Sequence, residues 1–154
     1  LSACSSLGIS SKDVYFLKNK TQNLNNDQSN LHKTVELIRK IKPDVIFTHA
    51  SNDKHRDHKA CYNIVKESFW KASEDIHPEL GLKHKAKVLL CIEITDMLVK
   101  PNFYVDITKF IDNKIIALNY YESQEKIIEN FSKYLLSLAN IRGFKIGKDY
   151  AESF

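Results

Sequence analysis

The chain has 154 residues, of which 43% are hydrophobic and 27% charged, and it carries a formal net charge of +4. These values are those of one ordinary globular domain, 1–154, and they exclude a disordered chain. The lysines form no block of like charge, and no apolar run approaches the ~20 residues that a membrane helix needs, so we expect neither a nucleic-acid partner nor a transmembrane segment.

Apolar strands and amphipathic helices alternate along the chain, which predicts an α/β fold. The run 44–48 is apolar on both faces, which favours a parallel sheet covered by helices. Pro43 should end the first long helix, Thr108 should cap the third, and Gly143 should close the last. In chain order we predict a strand at 13–17, a helix at 31–41, a strand at 44–48, a helix at 58–72, strands at 86–94 and 103–106, and helices at 108–122 and 127–141.

The two features that bear on completeness and compartment are the first residue and the cysteines. The chain begins with Leu1 rather than Met, and its first residues are typical of a helix that ends at Gly8. We therefore expect the natural N-terminus to precede Leu1 and the domain to lack its first strand and helix. Three widely spaced cysteines without a CxxC suggest neither a disulfide framework nor a thiolate zinc site, and reduced thiols in a cytoplasmic protein are the simplest interpretation.

One segment concentrates the side chains that carry chemistry. Residues 48–58 read Thr-His-Ala-Ser-Asn-Asp-Lys-His-Arg-Asp-His and hold three of the six histidines. The segment follows a buried strand and opens a helix, and ligands of open α/β sheets bind at the carboxyl ends of strands. His55 and His58 are three residues apart at a helix N-terminus, so both can face one cleft. Neutral imidazole is a good zinc ligand, and carboxylates can complete such a site.

The same segment also has simpler interpretations. Asp57 is suited to orient a neighbouring imidazole, but Asp57 or Asp53 is equally favoured as a helix cap. A histidine-rich surface loop can be inert, and packing under the loop is the favoured interpretation of His49. Three further histidines lie in polar surroundings and are interpreted as surface residues, namely His32, His77 and His84.

The number of ligands sets a limit on this site. A catalytic zinc has about three protein ligands, whereas this segment supplies one or two. No other cluster in the sequence has the spacing of metal ligands, so we expect the remaining ligands to lie before Leu1.

These residues resemble the PIG-L / LmbE-like de-N-acetylase family. The strand 43–49 followed by residues 52–58 is similar to the family's second motif, in which a strand leads to a His-x-Asp-His signature at the head of a helix. The likeness continues in the family's order over most of the chain. It includes Leu7-Gly8-Ile9, 13–17, 104–108, Lys114, Ala117-Leu118, Ser123-Gln124, Arg142-Gly143, Gly147 and 150–154.

The resemblance implies roles for three residues. His58 matches the family's zinc-binding histidine, and His55 matches the histidine that polarises the substrate carbonyl and steadies the oxyanion. Asp57 matches the aspartate that holds His55 in its tautomer. The resemblance also implies a Rossmann-like three-layer fold with a mostly parallel sheet. The activity that it implies is that of a Zn²⁺-dependent hydrolase that removes the N-acetyl group from an N-acetylglucosamine-type sugar or glycoconjugate.

The sequence departs from the family pattern at two places. Arg56 stands where many members have proline, which should alter the stiffness of the loop more than the chemistry. The family's first motif, His-Pro-Asp-Asp, is absent, and it supplies two zinc ligands and the general base. We therefore expect the 154 residues alone to bind zinc weakly and to be inactive as a deacetylase.

Two other functions stay open at this point. The chain could be a catalytically inactive relative or fragment that acts as a sugar-binding or partner-binding module, or an amidase built on the same scaffold. For the enzyme, the expected partner is a small-molecule or glycolipid amino sugar. A homo-oligomer is compatible with the sequence.

Overall fold

The computed structural model describes the backbone of residues 1–154 and every side chain apart from that of Glu125. Short 3₁₀ turns occupy 11–13, 78–80 and 108–110. The helices of the described chain are α1 (Ser2–Ser6), α2 (Gln28–Ile41), α3 (Arg56–Lys71), α4 (Ile111–Asn119), α5 (Glu122–Ile127) and α6 (Phe131–Phe144), and its strands are β1 (Val45–His49), β2 (Val88–Ile92), β3 (Tyr104–Asp106) and β4 (Ala151–Ser153).

The chain divides into two compact units. The first unit comprises residues 1–16 and 101–153, and the second comprises residues 17–100 together with Phe154. The single domain 1–154 expected from the sequence stays a prediction.

The second unit is built on a parallel pair of strands. β1 and β2 run parallel in register from Val45 opposite Val88 to His49 opposite Ile92. Helices α2 and α3 pack together, and α3 also packs on β1. The buried core cluster comprises Val35, Ile38 and Ala72, with Ile46 and Leu80 packed against it.

Helix α2 shows why these residues form these elements. Its apolar residues recur at helical spacing and bury Leu31, Val35 and Ile38. The Asp27 carboxylate caps the first turn by accepting the N–H of Asn30. The helix ends at Lys42, which has the left-handed conformation that often closes a helix. The helix predicted at 31–41 is thus confirmed, with its start three residues earlier.

A buried arginine on α2 organises the segment that follows α3. The Arg39 side chain is 3% exposed. Its guanidinium donates hydrogen bonds to backbone carbonyls only, at distances of 2.7 to 3.3 Å. A guanidinium has five N–H donors in a rigid fork, so this one side chain fixes the course of residues 71–81. The acceptors are the carbonyls of Lys71, Ala72, Glu74, Ile76, His77 and Gly81.

The first unit contains an antiparallel pair of strands, and one of its helices, α6, packs closely against the backbone of residues 148–149. β3 pairs with β4, and the Lys114 ammonium lies 2.5 Å from the Glu152 carboxylate on β4. In α6, a Cβ added at Gly143 would lie 2.6 Å from the carbonyl oxygen of Lys148. Only glycine lets the backbone at 148–149 approach the helix this closely.

The prediction of a strand at 13–17 is wrong. Residues 11–13 form a 3₁₀ turn, Val14 is extended, and residues 14–17 belong to none of the described strands. Tyr15 is 41% exposed and Phe16 65%. An apolar run of high β-propensity becomes a strand only when a neighbour accepts and donates its backbone hydrogen bonds, and the described sheets each contain two other strands.

Two predicted helices differ in their bounds. The helix expected at 108–122 is a 3₁₀ turn followed by α4, and Phe110, expected to point inward, is 64% exposed. Thr108 does not cap it, because its hydroxyl exchanges hydrogen bonds with the backbone of Tyr150. The helix expected at 127–141 starts at Phe131 and runs through Gly143, so Gly143 serves close approach rather than termination.

The α/β class with a parallel sheet is confirmed, and the described strands add one antiparallel pair. The predicted strands at 44–48, 86–94 and 103–106 correspond to β1, β2 and β3. Over the described residues, no helix combines the length and the apolar character needed to cross a bilayer.

Candidate functional site

The histidine-rich segment lies where the sequence places it, between β1 and α3. Thr48 is 3% exposed and His49 is the last residue of the strand. Helix α3 then begins at Arg56, with His55 as its N-cap. The carboxyl end of a parallel strand therefore leads, through one short loop, to a helix N-terminus, which is where ligands of α/β proteins bind.

Asp53 is the central acceptor of this loop. It is 2% exposed, and its carboxylate accepts the backbone N–H of His55 at 2.8 Å and the hydroxyl of Thr95 at 3.4 Å. Its other oxygen lies 2.8 Å from Nδ1 of His58. Burial alone would raise the pKa of Asp53, but the hydrogen bonds from His55 and His58 outweigh it, and the pKa lies below its ordinary value. Asp53 is therefore ionised at neutral pH.

The Asp53 contact fixes how His58 presents its ring. An ionised carboxylate only accepts, so Nδ1 of His58 carries the proton and donates it. The other ring nitrogen, Nε2, is then left with a free electron pair. This is the arrangement in which a carboxylate orients a metal-binding imidazole.

His55 has the opposite tautomer. Its Nδ1 accepts the backbone N–H of Asp57 at 3.1 Å, which makes the ring the cap of α3. Because Nδ1 accepts, the proton of the neutral ring is on Nε2. The ring centroid lies 4.5 Å from that of His58. The site thus places an N–H donor beside an imidazole that offers an electron pair.

His49 completes a row of three imidazoles. Its ring stacks on His58 with centroids 4.1 Å apart and an angle of 24° between planes. Its Nδ1 is buried and has no hydrogen-bond partner among the described residues. Burial and the neighbouring His58 lower the pKa of His49, so the ring is uncharged at neutral pH.

The Asp57 carboxylate contacts a different part of the chain. It accepts the backbone N–H groups of Gln22, at 2.5 Å, and Leu24, at 3.2 Å. It thereby ties the loop before α2 to the start of α3. The role implied for Asp57, holding the tautomer of His55, stays a prediction. The structure connects the two residues through the backbone N–H of Asp57.

Three solved structures resemble this chain along nearly all of its length. The conserved protein TT1542 from Thermus thermophilus covers 99% of this chain, with a TM-score of 0.87 and 25% identity. The N,N'-diacetylchitobiose deacetylase from Pyrococcus horikoshii covers 99% with a TM-score of 0.83 and 24% identity. GalB, the 4-carboxy-2-hydroxymuconate hydratase from Pseudomonas putida, covers 98% with a TM-score of 0.74 and 19% identity. At these identities the last two show the fold alone.

Residues 1–69 match the PIG-L family, described as GlcNAc-PI de-N-acetylase. The match covers 69 of the 154 residues, and over this stretch the chain is similar to that family. The resemblance inferred from the sequence is confirmed, and the family match supports a hydrolase of the deacetylase class. The chain spans 68%, 59% and 66% of the three solved chains.

The chemistry of the donors fits a divalent transition metal at one position, Nε2 of His58. Imidazole suits such ions, and a buried carboxylate supports it from behind. Within the described part of the chain, no group of three or more His, Cys, Asp and Glu side chains is arranged to hold a metal ion. The expectation that this segment supplies one or two ligands of a metal site stays a prediction.

Sequence reasoning missed the residues that hold the motif loop. Asp53 was considered only as a helix cap, and the segment after β2 was not considered. Asp96 accepts the backbone N–H of Lys54 at 2.6 Å, and Thr95 contacts Asp53. One signal was available, because polar residues that follow the second of two parallel strands lie at the same sheet edge as those that follow the first.

Proposed function

We propose that this protein is a metal-dependent hydrolase that removes the N-acetyl group from an N-acetylglucosamine-type sugar or glycoconjugate. The observation that carries the proposal is the buried Asp53–His58 pair at the carboxyl end of β1, with His55 beside it. The family description, GlcNAc-PI de-N-acetylase, supports the reaction type.

His58 would hold the metal through Nε2, and Zn²⁺ is the ion that we propose. When bound, such an ion polarises the amide carbonyl and lowers the pKa of water to about 7. Asp53 keeps the His58 ring in the tautomer that leaves Nε2 unprotonated, because its carboxylate accepts the Nδ1–H at 2.8 Å.

His55 would act on the substrate directly. In its neutral form the Nε2–H can donate a hydrogen bond to the amide oxygen as negative charge develops there. In its protonated form it can deliver a proton to the departing nitrogen when the C–N bond breaks and acetate is released. In the neutral form Nδ1 accepts the backbone N–H of Asp57, and this cap contact fixes the ring for the first of these two tasks.

Asp57 is proposed as the residue that positions His55. It does so through the start of α3, since its own backbone N–H bonds the ring and its carboxylate holds the loop at 22–24. The carboxylate thus anchors the helix end from which His55 projects.

The test compares three variants of the full-length protein for deacetylation of an N-acetylglucosamine-type substrate and for bound metal. His58→Ala should lose both metal and activity. His55→Ala should keep the metal and lose activity by about 100-fold or more, the scale of removing an acid–base or oxyanion group. His32→Ala, a histidine away from this site, should keep both. Loss of metal in His55→Ala with retention in His58→Ala would overturn the assignment.

The second candidate is a catalytically inactive relative that acts as a sugar-binding or partner-binding module. It is favoured by the lack of a group of three ligands within the described chain. An amidase on the same scaffold is the remaining alternative. Binding of an amino sugar without release of acetate, at saturating Zn²⁺, would favour the module, and hydrolysis of other amides alone would favour the amidase.

The proposal extends to substrate and location. The relatives act on GlcNAc-PI and N,N'-diacetylchitobiose by their descriptions, which supports a small-molecule or glycolipid amino sugar as substrate. Cys4, Cys61 and Cys91 are free thiols, which supports the cytoplasm as the compartment. A homo-oligomer stays compatible with this proposal.

A further inference from the structure

His49 has no part in the proposed reaction, yet its ring is in contact with the proposed metal ligand. It is the last residue of β1 and is paired in register with Ile92. Its ring faces that of His58 at 4.1 Å and 24°. A buried nitrogen without a hydrogen-bond partner costs stability, so its presence calls for an explanation.

The geometry argues against two direct roles for His49. An imidazole nitrogen binds a metal in the plane of its ring, at about 2.0–2.1 Å for zinc. Two rings stacked face to face point their nitrogens side by side, so His49 and His58 do not converge on one ion. The unpartnered Nδ1 also has almost no solvent-accessible surface, so neither water nor substrate reaches that atom.

What remains is the face of the ring. The bond from His58 to Asp53 fixes the position of Nδ1, but one hydrogen bond tolerates a range of tilts of the ring plane. A flat group packed on the ring face removes that freedom. His49 provides such a group from a rigid place, because the strand that ends with it is paired along its whole length.

We propose that His49 is a positioning residue for His58, a flat platform that fixes the ring plane and so aims Nε2 at the metal. This inference rests on the proposed function of His58 as the metal ligand.

The experiment uses the full chain and two substitutions at one position. His49→Phe keeps a flat ring, whereas His49→Ala removes it, and His32→Ala serves as the control for loss of an imidazole elsewhere. In metal-free protein, NMR follows exchange with water of the Nδ1 proton that His58 donates to Asp53. The same spectra, recorded during a titration with Zn²⁺ alone, give the affinity at His58.

In His49→Ala the His58 proton should exchange faster, and Zn²⁺ should bind about tenfold more weakly, the lower end of the effect of removing a group that orients a ligand. His49→Phe and His32→Ala should match the wild type in both measurements. Because the unpartnered nitrogen is gone, His49→Phe should also melt at a higher temperature than wild type.

Equal weakening in the Phe and Ala variants would overturn the inference, because the nitrogen rather than the ring would then matter. Unchanged exchange in His49→Ala would overturn it as well. If the wild type shows no Zn²⁺ contact with His58, the proposed function fails. The metal-free exchange rates would then still decide whether His49 orders the ring.

Discussion

Two pairs of histidines lie at almost the same spacing in the second unit, and they differ in what anchors them. The rings of His55 and His58 are 4.5 Å apart, and those of His32 and His77 are 4.6 Å apart. In the first pair, His58 bonds Asp53, which is 2% exposed. In the second, Nδ1 of His77 bonds a carboxylate whose side chain is 61% exposed, that of Glu79.

Two imidazoles that lie close together therefore do not by themselves form a metal-binding or catalytic site. A buried, ionised carboxylate fixes both the tautomer and the direction of the ring it contacts. An exposed one competes with water and fixes neither.

Removing Arg39 should disrupt the pair of His32 and His77 by freeing the backbone of His77. It should also have the largest effect on stability. His77 has a left-handed backbone, with φ of 52°, and its carbonyl accepts the Arg39 guanidinium at 2.7 Å. Arg39→Ala leaves several buried carbonyls unpaired, so the free energy of unfolding should fall by about 3 kcal/mol or more. Urea denaturation measures this. Lys33→Ala, at an exposed position of the same helix, should leave the midpoint unchanged, and an equally mild Arg39→Ala would contradict the argument.

Removing the carboxylate of Asp53 should disrupt the first pair at the site itself. Asp53→Ala leaves the His55 N–H and the His58 Nδ1–H without their acceptor, at a cost of about 2 kcal/mol. Zn²⁺ affinity should fall by about 10- to 100-fold, as for other groups that orient a ligand. Calorimetric titration and urea denaturation give the two values. Retention of full affinity would show that Asp53 does not orient His58.

Acid should reveal the same carboxylate in metal-free protein. The pKa of Asp53 lies below 3.8 in the folded chain. The folded state therefore binds this proton less readily than the unfolded state does. Its contribution to stability is complete above pH 3.8 and is lost as the pH falls from 3.8 through the folded pKa. Asp53→Asn should flatten this part of the curve of stability against pH, and an unchanged curve would argue against the hydrogen bonds that lower the pKa.

Asp96 should contribute less to stability than Asp53, because it bonds the loop before α3 from a position that is partly exposed to water. Its carboxylate accepts the Lys54 N–H at 2.6 Å and its side chain is 28% exposed. Asp96→Ala should lower the free energy of unfolding by about 1 kcal/mol, and Asp96→Asn, which keeps an acceptor oxygen, should recover most of it. Thermal denaturation of the pair is the measurement. Equal losses would assign the effect to charge rather than to the hydrogen bond.

Glu79 should contribute least. Glu79→Ala removes the carboxylate of the second pair, but that group is exposed to water and gives up little when lost. We expect no measurable change in the urea midpoint or in Zn²⁺ binding. A clear loss of either would show that the exposed Glu79 anchors its histidine as firmly as the buried Asp53 does, which would contradict the difference between the two pairs.

The site was predictable from the sequence as far as local order decides it. A buried strand, a polar loop and a helix in succession place His55 and His58 together, since both lie within one turn of the helix start. The partner of His58 was not predictable. Asp53 and Asp57 satisfy the same local rules, and only the folded loop shows which carboxylate contacts which ring.

The fold likewise has elements that local sequence predicts and elements that depend on contacts between distant residues. The spacing of apolar residues was sufficient to predict α2 and β1, and Pro43 was sufficient to predict where α2 ends. Both signals act locally, because proline lacks the N–H that a helix needs. The run 13–17 has the composition of a strand, but a strand depends on a neighbour that its own residues do not specify. Thr108 failed as a cap because the backbone of Tyr150 competes for its hydroxyl, a contact between residues far apart in sequence.

The close approach at Gly143 has a consequence for evolution of the first unit. Any side chain there meets the backbone of Lys148 and Asp149, three residues or fewer from the strand that carries Glu152 and its Lys114 partner. A mutational screen that replaced this position with all other amino acids would return glycine alone. Exposed positions of the helix such as Ile141 can accept other side chains, whereas Gly143 has no room for one.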